Sequence, residues 1–400
     1  MANRIATEEK ATIIAAHLKA AVPVSSVVTS KFESSYEGGG GDTVAVKCVD
    51  YGAVYDSNNG DMSGVNKDTA SIKTSIQVNY KTNIVELSAK DSQLNLEDFS
   101  VQVAQPRISL LASKVSRSII DAVVRAASYQ LVMPETTDVS YGTLSDAIAL
   151  VEDSRVGDKI TGVISNSVKA AITTKGANQF GPNTSIGEKL FRNKMNEYGG
   201  IGWIPTADAL KIKNAQRIAG ATLAEPITNG AKSIRIAFAS SGVLAKHTPL
   251  TIKGVNAVDA YGEDMSRERC FVVSADTPFA SGQTVSVPVA AVWHLRTDGG
   301  FKNTASAGEA GLEVSFPLDQ KTYSIVSVFA DKAAGLASLK PAPLDGGGVE
   351  TAASSVDAIN VLMTAQANAT TFKSMHRWDV LIGAEPIYQQ GACNIYVPVN

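Results

Sequence analysis

The sequence is poor in the residues that build disulfide, metal and catalytic sites. It has only 3 cysteines and 4 histidines in 400 residues. The odd number and wide spacing of Cys48, Cys270 and Cys393 exclude a disulfide framework and a zinc-site pattern, and indicate a reducing compartment. No histidine has a second ligand at metal-binding spacing, so each is interpreted as a surface residue or a satisfied one. These histidines are His17, His247, His294 and His376.

Neither sign of charge is in excess. The chain has 36 Lys and Arg against 39 Asp and Glu, a net charge of −3. This balance excludes a strongly basic nucleic-acid reader and a polybasic membrane anchor. No apolar run approaches the ~20 residues of a membrane span. Charges interrupt the opening "MANRIATEEKATIIAAHLKAAVP", so no signal peptide is expected. We predict a soluble protein of the cytoplasm.

A run of four glycines stands in "YEGGGGDTV". A phosphate-binding loop needs a Lys followed by Ser or Thr, after a strand and before a helix. This run has no such Lys and leads into the alternating stretch "TVAVKCVDY". Because glycine loses the most backbone entropy on folding, a flexible hinge is the better interpretation. The predicted hinge comprises Gly38, Gly39, Gly40 and Gly41.

The patterns that mark an enzyme are also missing. No Gly-x-Ser-x-Gly elbow surrounds any serine. The carboxylate pairs Glu152–Asp153 and Glu263–Asp264 are interpreted as solvated charges. We therefore predict that the chain is not an enzyme and uses no cofactor.

What the sequence does contain begins with a long two-stranded excursion over 34–86. Its tip, "DSNNGDMSGVNKD", is rich in turn residues. Beyond the tip, Ile72, Ile76 and Val78 alternate with polar residues, as in a half-buried strand. An isolated hairpin is marginal in water, so the excursion needs a surface to lie against.

A long helix is predicted over 107–128. Apolar residues recur there at spacings of three and four, and Pro106 predicts a kink or a fresh start. The basic residues of this helix are interpreted as a solvated or intersubunit face. A face that binds a polyanion is the less favoured alternative. Further helices are predicted in "TLSDAIALVEDS", "NSVKAAITTKG" and "SSVDAINVLMTAQA".

The pattern of the sequence changes from mixed helix and strand to short strands from Gly220. Short strand-like segments are separated by turn signals such as "TNG", "SSG" and "KG", which predicts a small β-barrel or sandwich within a larger α/β protein. The fold class is therefore α+β with an inserted all-β domain.

Three stretches carry a resemblance to a known family. They are "VELSAKDSQLNLEDFSVQVAQPRISLLASKVSRSIIDAVVRAA", "GATLAEPITNGAKSIRIAF" with "RCFVVSAD", and "TTFKSMHRWDVLIGAEPIYQQGACNIYVPV". In the order of its predicted helices and strands, the chain resembles the major capsid proteins of tailed bacteriophages, which have the Hong Kong 97-type fold. It is most similar to the coat proteins of short-tailed Salmonella phages, which carry an inserted β-barrel.

The resemblance implies a division of the chain. The expected parts are an N-terminal arm (1–33), an extended β-hairpin loop (34–86), a peripheral domain with the spine helix (87–130), a first axial part (131–219), an inserted β-barrel (220–304), a second axial part (305–385) and a C-terminal strand (386–400). In this arrangement Ile72, Ile76 and Val78 would contact a neighbouring subunit. The glycine hinge would let the same loop take different angles in quasi-equivalent copies.

The resemblance also implies a function and partners. The chain would be a major capsid protein whose pentamers and hexamers form an icosahedral shell around double-stranded DNA, held without sequence specificity. A portal protein at one vertex is implied, and the short segment before the hairpin leads us to expect a separate scaffolding protein. The location would be the virion capsid, assembled in the host bacterial cytoplasm without a membrane.

Two alternatives remain open at the level of sequence. An encapsulin-like compartment housing a cargo enzyme shares the fold, so only the packaged contents separate it from a phage capsid. An enzyme whose site is assembled from distant residues is the other alternative.

Overall fold

The computed structural model describes residues 7–30, 43–49, 71–88, 99–179, 197–228, 230–260, 264–292, 310–339, 349–356, 359–368 and 373–399. Within these ranges lie four α-helices: α1 (Thr7–Ala21), α2 (Gln105–Arg125), α3 (Tyr141–Asp153) and α4 (Asn166–Gln179). Short helical turns lie at Pro23–Val27, Phe99–Ala104, Thr136–Asp138 and Gln389–Gly391.

The strands of the first half are β1 (Thr43–Val49), β2 (Ser71–Gln77), β3 (Asn79–Ser88), β4 (Tyr129–Val132), β5 (Ile160–Ser165), β6 (Glu197–Tyr198), β7 (Ile201–Thr206), β8 (Lys211–Ile212), β9 (Ala221–Leu223), β10 (Ala231–Phe238) and β11 (Gly242–Leu244). Those that follow are β12 (Pro249–Val258), β13 (Asp264–Val272), β14 (Thr277–Phe279), β15 (Thr284–Val292), β16 (Glu313–Ser315), β17 (Tyr323–Ala330), β18 (Ala334–Leu339), β19 (Val349–Val356), β20 (Ile359–Asn368), β21 (Lys373–Pro386) and β22 (Ala392–Pro398).

The chain divides into two compact units. The first comprises Met1–Val46, Ser75–Ile120 and Gly335–Glu385. The second comprises Lys47–Thr74, Asp121–Ala334 and Pro386–Asn400.

A five-stranded sheet forms the first unit. Its order is β18-β21-β20-β19, and β3 pairs with β21 in addition. The antiparallel β3–β21 ladder runs over ten residue pairs, from Lys373↔Ser88 to Ile382↔Asn79. Helix α1 packs on β19 and β20. It does so with a buried stripe of Ala11, Ile14 and Leu18, at the spacing of one helix face.

Helix α2 is the longest described helix, at 21 residues or about 32 Å. Pro106 lies in its first turn, directly after the π-helical turn Phe99–Ala104. The predicted interruption at Pro106 therefore coincides with a change of hydrogen-bond pattern within a continuous helical segment. The buried face carries Ile108, Leu111, Val115 and Ile119, as the apolar period predicts.

A six-stranded sheet in the second unit closes into a barrel. Its order is β13-β12-β16-β9-β10-β15, and every strand comes from 221–315. The edges meet through a bridge between Val273 and Val289 and a 2.8 Å hydrogen bond from the Ser274 N–H to the Pro288 carbonyl. Inside, Phe238 stacks on Phe279 with ring centroids 4.2 Å apart. The predicted β texture of this segment therefore corresponds to a closed sheet with its own core.

The chain enters and leaves this barrel from a second sheet, of order β4-β22-β17-β5-β7-β6 with β8 on β17. Strands β17 and β22 are buried at every position. Helices α3 and α4 pack against this sheet, and α3 begins at the N-cap Ser140, whose side chain accepts a hydrogen bond from the Thr143 N–H. The predicted α+β fold class is confirmed, and the elements follow the order expected of a Hong Kong 97-type fold.

One predicted helix is wrong. The stretch "SSVDAINVLMTAQA" forms parts of β19 and β20, an antiparallel pair with Val356 opposite Ile359. Residues 359–364 are buried without interruption. A strand covered on both faces reads as a continuous apolar run, which periodicity alone does not separate from a helix.

The C-terminal strands belong to both compact units. Gly335–Glu385 lies in the same unit as β3, because β21 pairs with β3 over ten residue pairs. The predicted division of the chain, including a second axial part at 305–385, stays a prediction.

A close approach in the second sheet gives a testable consequence. A Cβ on Gly162 of β5 would lie 2.3 Å from the indole of Trp203 on the neighbouring strand β7. We expect Gly162→Ala to lower the free energy of unfolding by about 1–3 kcal/mol, because the indole has to shift. Urea unfolding followed by tryptophan fluorescence measures this change.

Gly202→Ala is the matched control. Gly202 lies in the same strand pair, and its added Cβ would meet nothing within 4 Å. Equal losses of stability in the two variants would contradict the packing of Trp203 on Gly162.

Candidate functional site

The predicted hinge and the side chain of the first predicted contact residue lie outside the part of the chain that the structure describes. Gly38, Gly39, Gly40 and Gly41 lie outside the described residues. Ile72 lies in β2, but its side chain is likewise outside the described part. The hinge and the role of Ile72 therefore stay predictions.

The other two predicted contact residues are buried inside the chain. Ile76 is 0% exposed and Val78 is 1% exposed. An ideal Cβ on Gly383 of β21 would lie 2.9 Å from Ile76 Cγ2 and 2.1 Å from the Gln77 carbonyl oxygen, so the backbone of β21 passes close against this segment. Intramolecular packing covers both side chains in the single chain. Their predicted contact with a neighbouring subunit stays a prediction for the assembled particle.

The apolar surface lies instead on the outer side of β3. Tyr80 is 56% exposed and Ile84 is 49% exposed, whereas Val85 and Leu87 on the opposite side are buried. We call the side of β3 that carries Tyr80, Thr82, Ile84 and Glu86 the β3 face. Sequence reasoning missed it because both sides of "NYKTNIVELS" carry apolar residues, so alternation did not reveal which side is covered.

A buried carboxylate fixes β3 on β21. Asp379 accepts a 2.5 Å hydrogen bond from Thr82 Oγ1. The same carboxylate pairs with Arg377 Nε at 2.8 Å. Lys373 and Glu86 form a further, exposed pair across the two strands at 3.2 Å. Together with the long ladder, these contacts hold the β3 face on a rigid support.

A second polar cluster joins α2 to the barrel turn at 245–248. We call Asp121, Arg125, Lys246 and His247 the Asp121 junction. Asp121 Oδ1 lies 2.7 Å from His247 Nε2 and 2.5 Å from Lys246 Nζ, and Oδ2 lies 2.8 Å from Arg125 Nε. His247 adopts a left-handed backbone with φ 71°, a conformation that few non-glycine residues adopt.

The electrostatics of the junction favour an ionised carboxylate. Burial by itself raises the pKa of Asp121, but the hydrogen bond with His247, the charge of Arg125 and the hydrogen bond with Lys246 outweigh it. The pKa of Asp121 is therefore held well below its usual range.

The junction continues into the second sheet through buried amides and hydroxyls. Tyr396 Oη donates to the His247 carbonyl at 3.3 Å. Asn394 Nδ2 donates to the Val124 carbonyl at 2.8 Å, and its Oδ1 accepts from Ser327 Oγ at 2.7 Å. Helix α2, the barrel turn and strands β17 and β22 therefore share one hydrogen-bond network.

Another buried group links the barrel to the segment before β22. The guanidinium of Arg269 donates to Gln389 Oε1 and lies 5.1 Å from the Phe271 ring centroid. Gln389 in turn donates to the Ala291 carbonyl at 2.5 Å. Burial lowers the pKa of Arg269 to about 10. In β22, burial raises the pKa of Cys393 to about 12. Polar contacts of Gln389 thus tie strands β13 and β15 of the barrel to the segment before β22.

In the described part of the chain, no group of three or more His, Cys, Asp or Glu side chains is placed to hold a metal ion. Among the helices described above, none is long and apolar enough to cross a membrane.

Comparison with known proteins gives likenesses of fold. No protein-family model and no curated protein matches the chain. A solved structure from Mycobacterium phage Che8 is 9% identical, with a TM-score of 0.45, covering 93% of this chain and 90% of that one. The capsid of Ralstonia phage GP4 is 7% identical, with a TM-score of 0.46 and coverages of 94% and 87%. A virus-like particle from Pyrococcus furiosus is 8% identical, with a TM-score of 0.40 and coverages of 96% and 97%. Values this low carry no argument about function.

The lowered pKa of Asp121 gives a pH prediction. A carboxylate with a depressed pKa contributes stability that is present above its unfolded pKa, near ~4, and is lost as the pH falls through the folded value. At pH 7 we expect Asp121→Asn to lower the free energy of unfolding by about 1.5–3 kcal/mol, because charged hydrogen bonds are lost. The gap between the two proteins should narrow from pH 5 to pH 2 in urea unfolding.

Glu225→Gln serves as the control for this prediction. Glu225 pairs with Arg235 at 2.7 Å, but both side chains are half-exposed. Its loss should cost less than about 1 kcal/mol at every pH. A gap between wild type and Asp121→Asn that stays constant from pH 7 to pH 2 would contradict the ionised junction.

Proposed function

We propose that this chain is a coat protein whose copies assemble into a closed icosahedral shell around the double-stranded DNA of a tailed phage. In this proposal the copies form pentamers and hexamers, a separate scaffolding protein guides assembly, and a portal protein occupies one vertex. The shell forms in the host bacterial cytoplasm and becomes the virion capsid. The relation to the coat proteins of short-tailed Salmonella phages belongs to the same proposal.

The first support is the order of the parts. An arm helix α1 is followed by the strands that flank the predicted loop, by the long helix α2, and by a mixed sheet interrupted by a barrel. This order agrees with what the sequence resemblance implies. The barrel strands begin at Ala221, near the expected start of the inserted segment at 220, but the last of them, β16, lies at Glu313–Ser315, beyond the expected end at 304.

The observation that carries the proposal is the β3 face. Tyr80 and Ile84 stand half-exposed on a strand that is otherwise locked to β21 by a ten-pair ladder and by Asp379. Large apolar side chains on a rigid, exposed sheet surface favour a protein contact. The β3 face lies at the C-terminal end of the predicted loop segment (34–86), so a second copy of the chain is the occupant that the proposal requires.

A shell also explains why modest contacts suffice. Each copy in a closed assembly makes several contacts with its neighbours, so weak pairwise contacts add up through symmetry and multiplicity. The proposed hinge at Gly38–Gly41 would allow the loop to meet those neighbours at different angles. Identical backbone angles in all copies of an assembled particle would remove the case for the hinge.

Electron microscopy of the expressed full chain tests the function directly. We expect closed particles when the chain is expressed with the other assembly proteins of its phage, and nuclease-protected double-stranded DNA in the filled ones. Particles that hold a protein cargo and no DNA would favour an encapsulin-like compartment. A chain that stays monomeric under all assembly conditions would contradict a shell protein and favour an enzyme.

The β3 face gives a specific prediction. We expect the double variant Tyr80→Ser and Ile84→Ser to fold but to assemble poorly. Fully burying one large apolar side chain contributes about 1.5–3 kcal/mol. About half of each side chain is still exposed, so each loss should weaken a subunit contact about four- to tenfold. Sedimentation of assembly reactions measures the particle fraction, and circular dichroism checks the fold.

Val243→Ser is the matched control, because Val243 is 48% exposed on β11 of the barrel. It should assemble as the wild type does. Full particle yield from the Tyr80→Ser and Ile84→Ser variant would exclude the β3 face as an intersubunit contact.

A further inference from the structure

The exposed side of helix α2 carries a straight row of four residues, three of them basic. Arg107, Leu110, Lys114 and Arg117 are all exposed, and they recur at spacings of three, four and three. This spacing places them in one line along the helix, about 15 Å from first to last at ~1.5 Å per residue. We call these four residues the α2 stripe.

The α2 stripe is presented by a rigid element. The opposite side of the helix is buried through Ile108, Leu111 and Val115. At the start of the helix, Asn83 Nδ2 of β3 donates to the Arg107 carbonyl at 3.4 Å. The cations therefore stand on a helix whose position is set by packing.

Charge is segregated on this helix. The stretch from Phe99 to Ile120 contains three basic residues and no acidic one. The chain as a whole has a net charge of −3, so the remainder carries −6 once the +3 of this stretch is removed. A helix face that carries three cations and no acidic residue fits a polyanionic partner.

The spacing fits a phosphate polymer. Duplex DNA carries one negative charge per ~1.7 Å of its axis, so a row of cations about 15 Å long meets phosphates wherever it lies along the duplex. Such a row recognises no base sequence. Leu110, 62% exposed between Arg107 and Lys114, can pack against the sugar rings that join the phosphates.

An acidic surface on a second copy fits less well. Several exposed carboxylates of this chain already have a basic partner within it. These pairs are Glu86–Lys373, Glu135–Lys321, Glu225–Arg235 and Glu313–Lys253.

We propose that the α2 stripe binds the phosphate backbone of double-stranded DNA without sequence specificity. The inference rests on the proposed function, in which the chain encloses DNA, and it adds the surface that meets the DNA. Arg107, Lys114 and Arg117 supply the charge, and the buried side of α2 keeps them in register.

The test is the salt dependence of DNA binding by the purified full chain. The probe is a fluorescent 30-base-pair duplex of mixed sequence, and the variant carries Arg107→Gln, Lys114→Gln and Arg117→Gln. Each phosphate contact contributes about 0.9 to the slope of log K against log salt. We therefore expect the triple variant to lower the slope by about 2.7, and each single substitution to lower it by about 0.9.

The matched control removes three exposed basic residues elsewhere, through Lys211→Gln, Lys213→Gln and Arg217→Gln in and after β8. Its slope should equal that of the wild type. Equal slope changes in both triple variants would overturn the proposal, because net charge alone would then act. Unchanged DNA binding would also overturn it, and unchanged DNA binding together with lost particle assembly would assign the α2 stripe to a second copy of the chain.

The proposed function fails separately, since it requires particles in electron micrographs. The slope measurement reads the α2 stripe on unassembled protein. A chain that binds duplex through the α2 stripe but forms no particles would contradict the shell and leave the DNA contact standing.

Discussion

The buried side chain of Asn394 connects the parts of the second unit. It accepts a hydrogen bond from Ser327 on β17, donates to the Val124 carbonyl near the end of α2, and lies beside Tyr396, which reaches the barrel turn at His247. An amide can do this because it donates and accepts at once. Replacing it by an apolar residue would leave the Val124 carbonyl and the Ser327 hydroxyl without this partner in a buried place. One hydrogen-bond network therefore positions the C-terminal end of α2, the second sheet and the barrel, and this network ends at the Asp121 carboxylate.

The two features proposed to bind partners, the β3 face and the α2 stripe, lie on the protein surface. Most apolar residues of each unit are buried in that unit's own core. Ile76 and Val78 are among them, although the sequence predicted that they contact a neighbouring subunit. Among the described residues, the exposed features include a small apolar face on β3 and a basic row on α2. The two suit different partners, since Tyr80 and Ile84 favour another protein surface, whereas the α2 stripe favours phosphate. A protein that encloses a polyanion in a shell of its own copies needs both kinds of surface.

The sequence allowed prediction of the features that depend on local period. The helix around Leu111 and Val115 follows from spacing, and the barrel follows from its short strands and regular turn signals. The hairpin of β19 and β20 was predicted as a helix because burial on both faces removes the alternation that marks a strand. The Asp121 junction could not be predicted, because Asp121 and His247 lie 126 positions apart and meet only through the fold. The β3 face was missed for a related reason: Tyr80 and Val85 look alike in sequence, and only the position of the supporting strand decides which is covered.

The central claim is that the outward features of this chain are contacts of a shell. A cryo-electron microscopy map of particles assembled from the full-length chain tests it most directly. The account predicts that Tyr80 and Ile84 are covered by a neighbouring copy in every quasi-equivalent position. A map of closed particles in which the β3 face is open to solvent in all copies would contradict it.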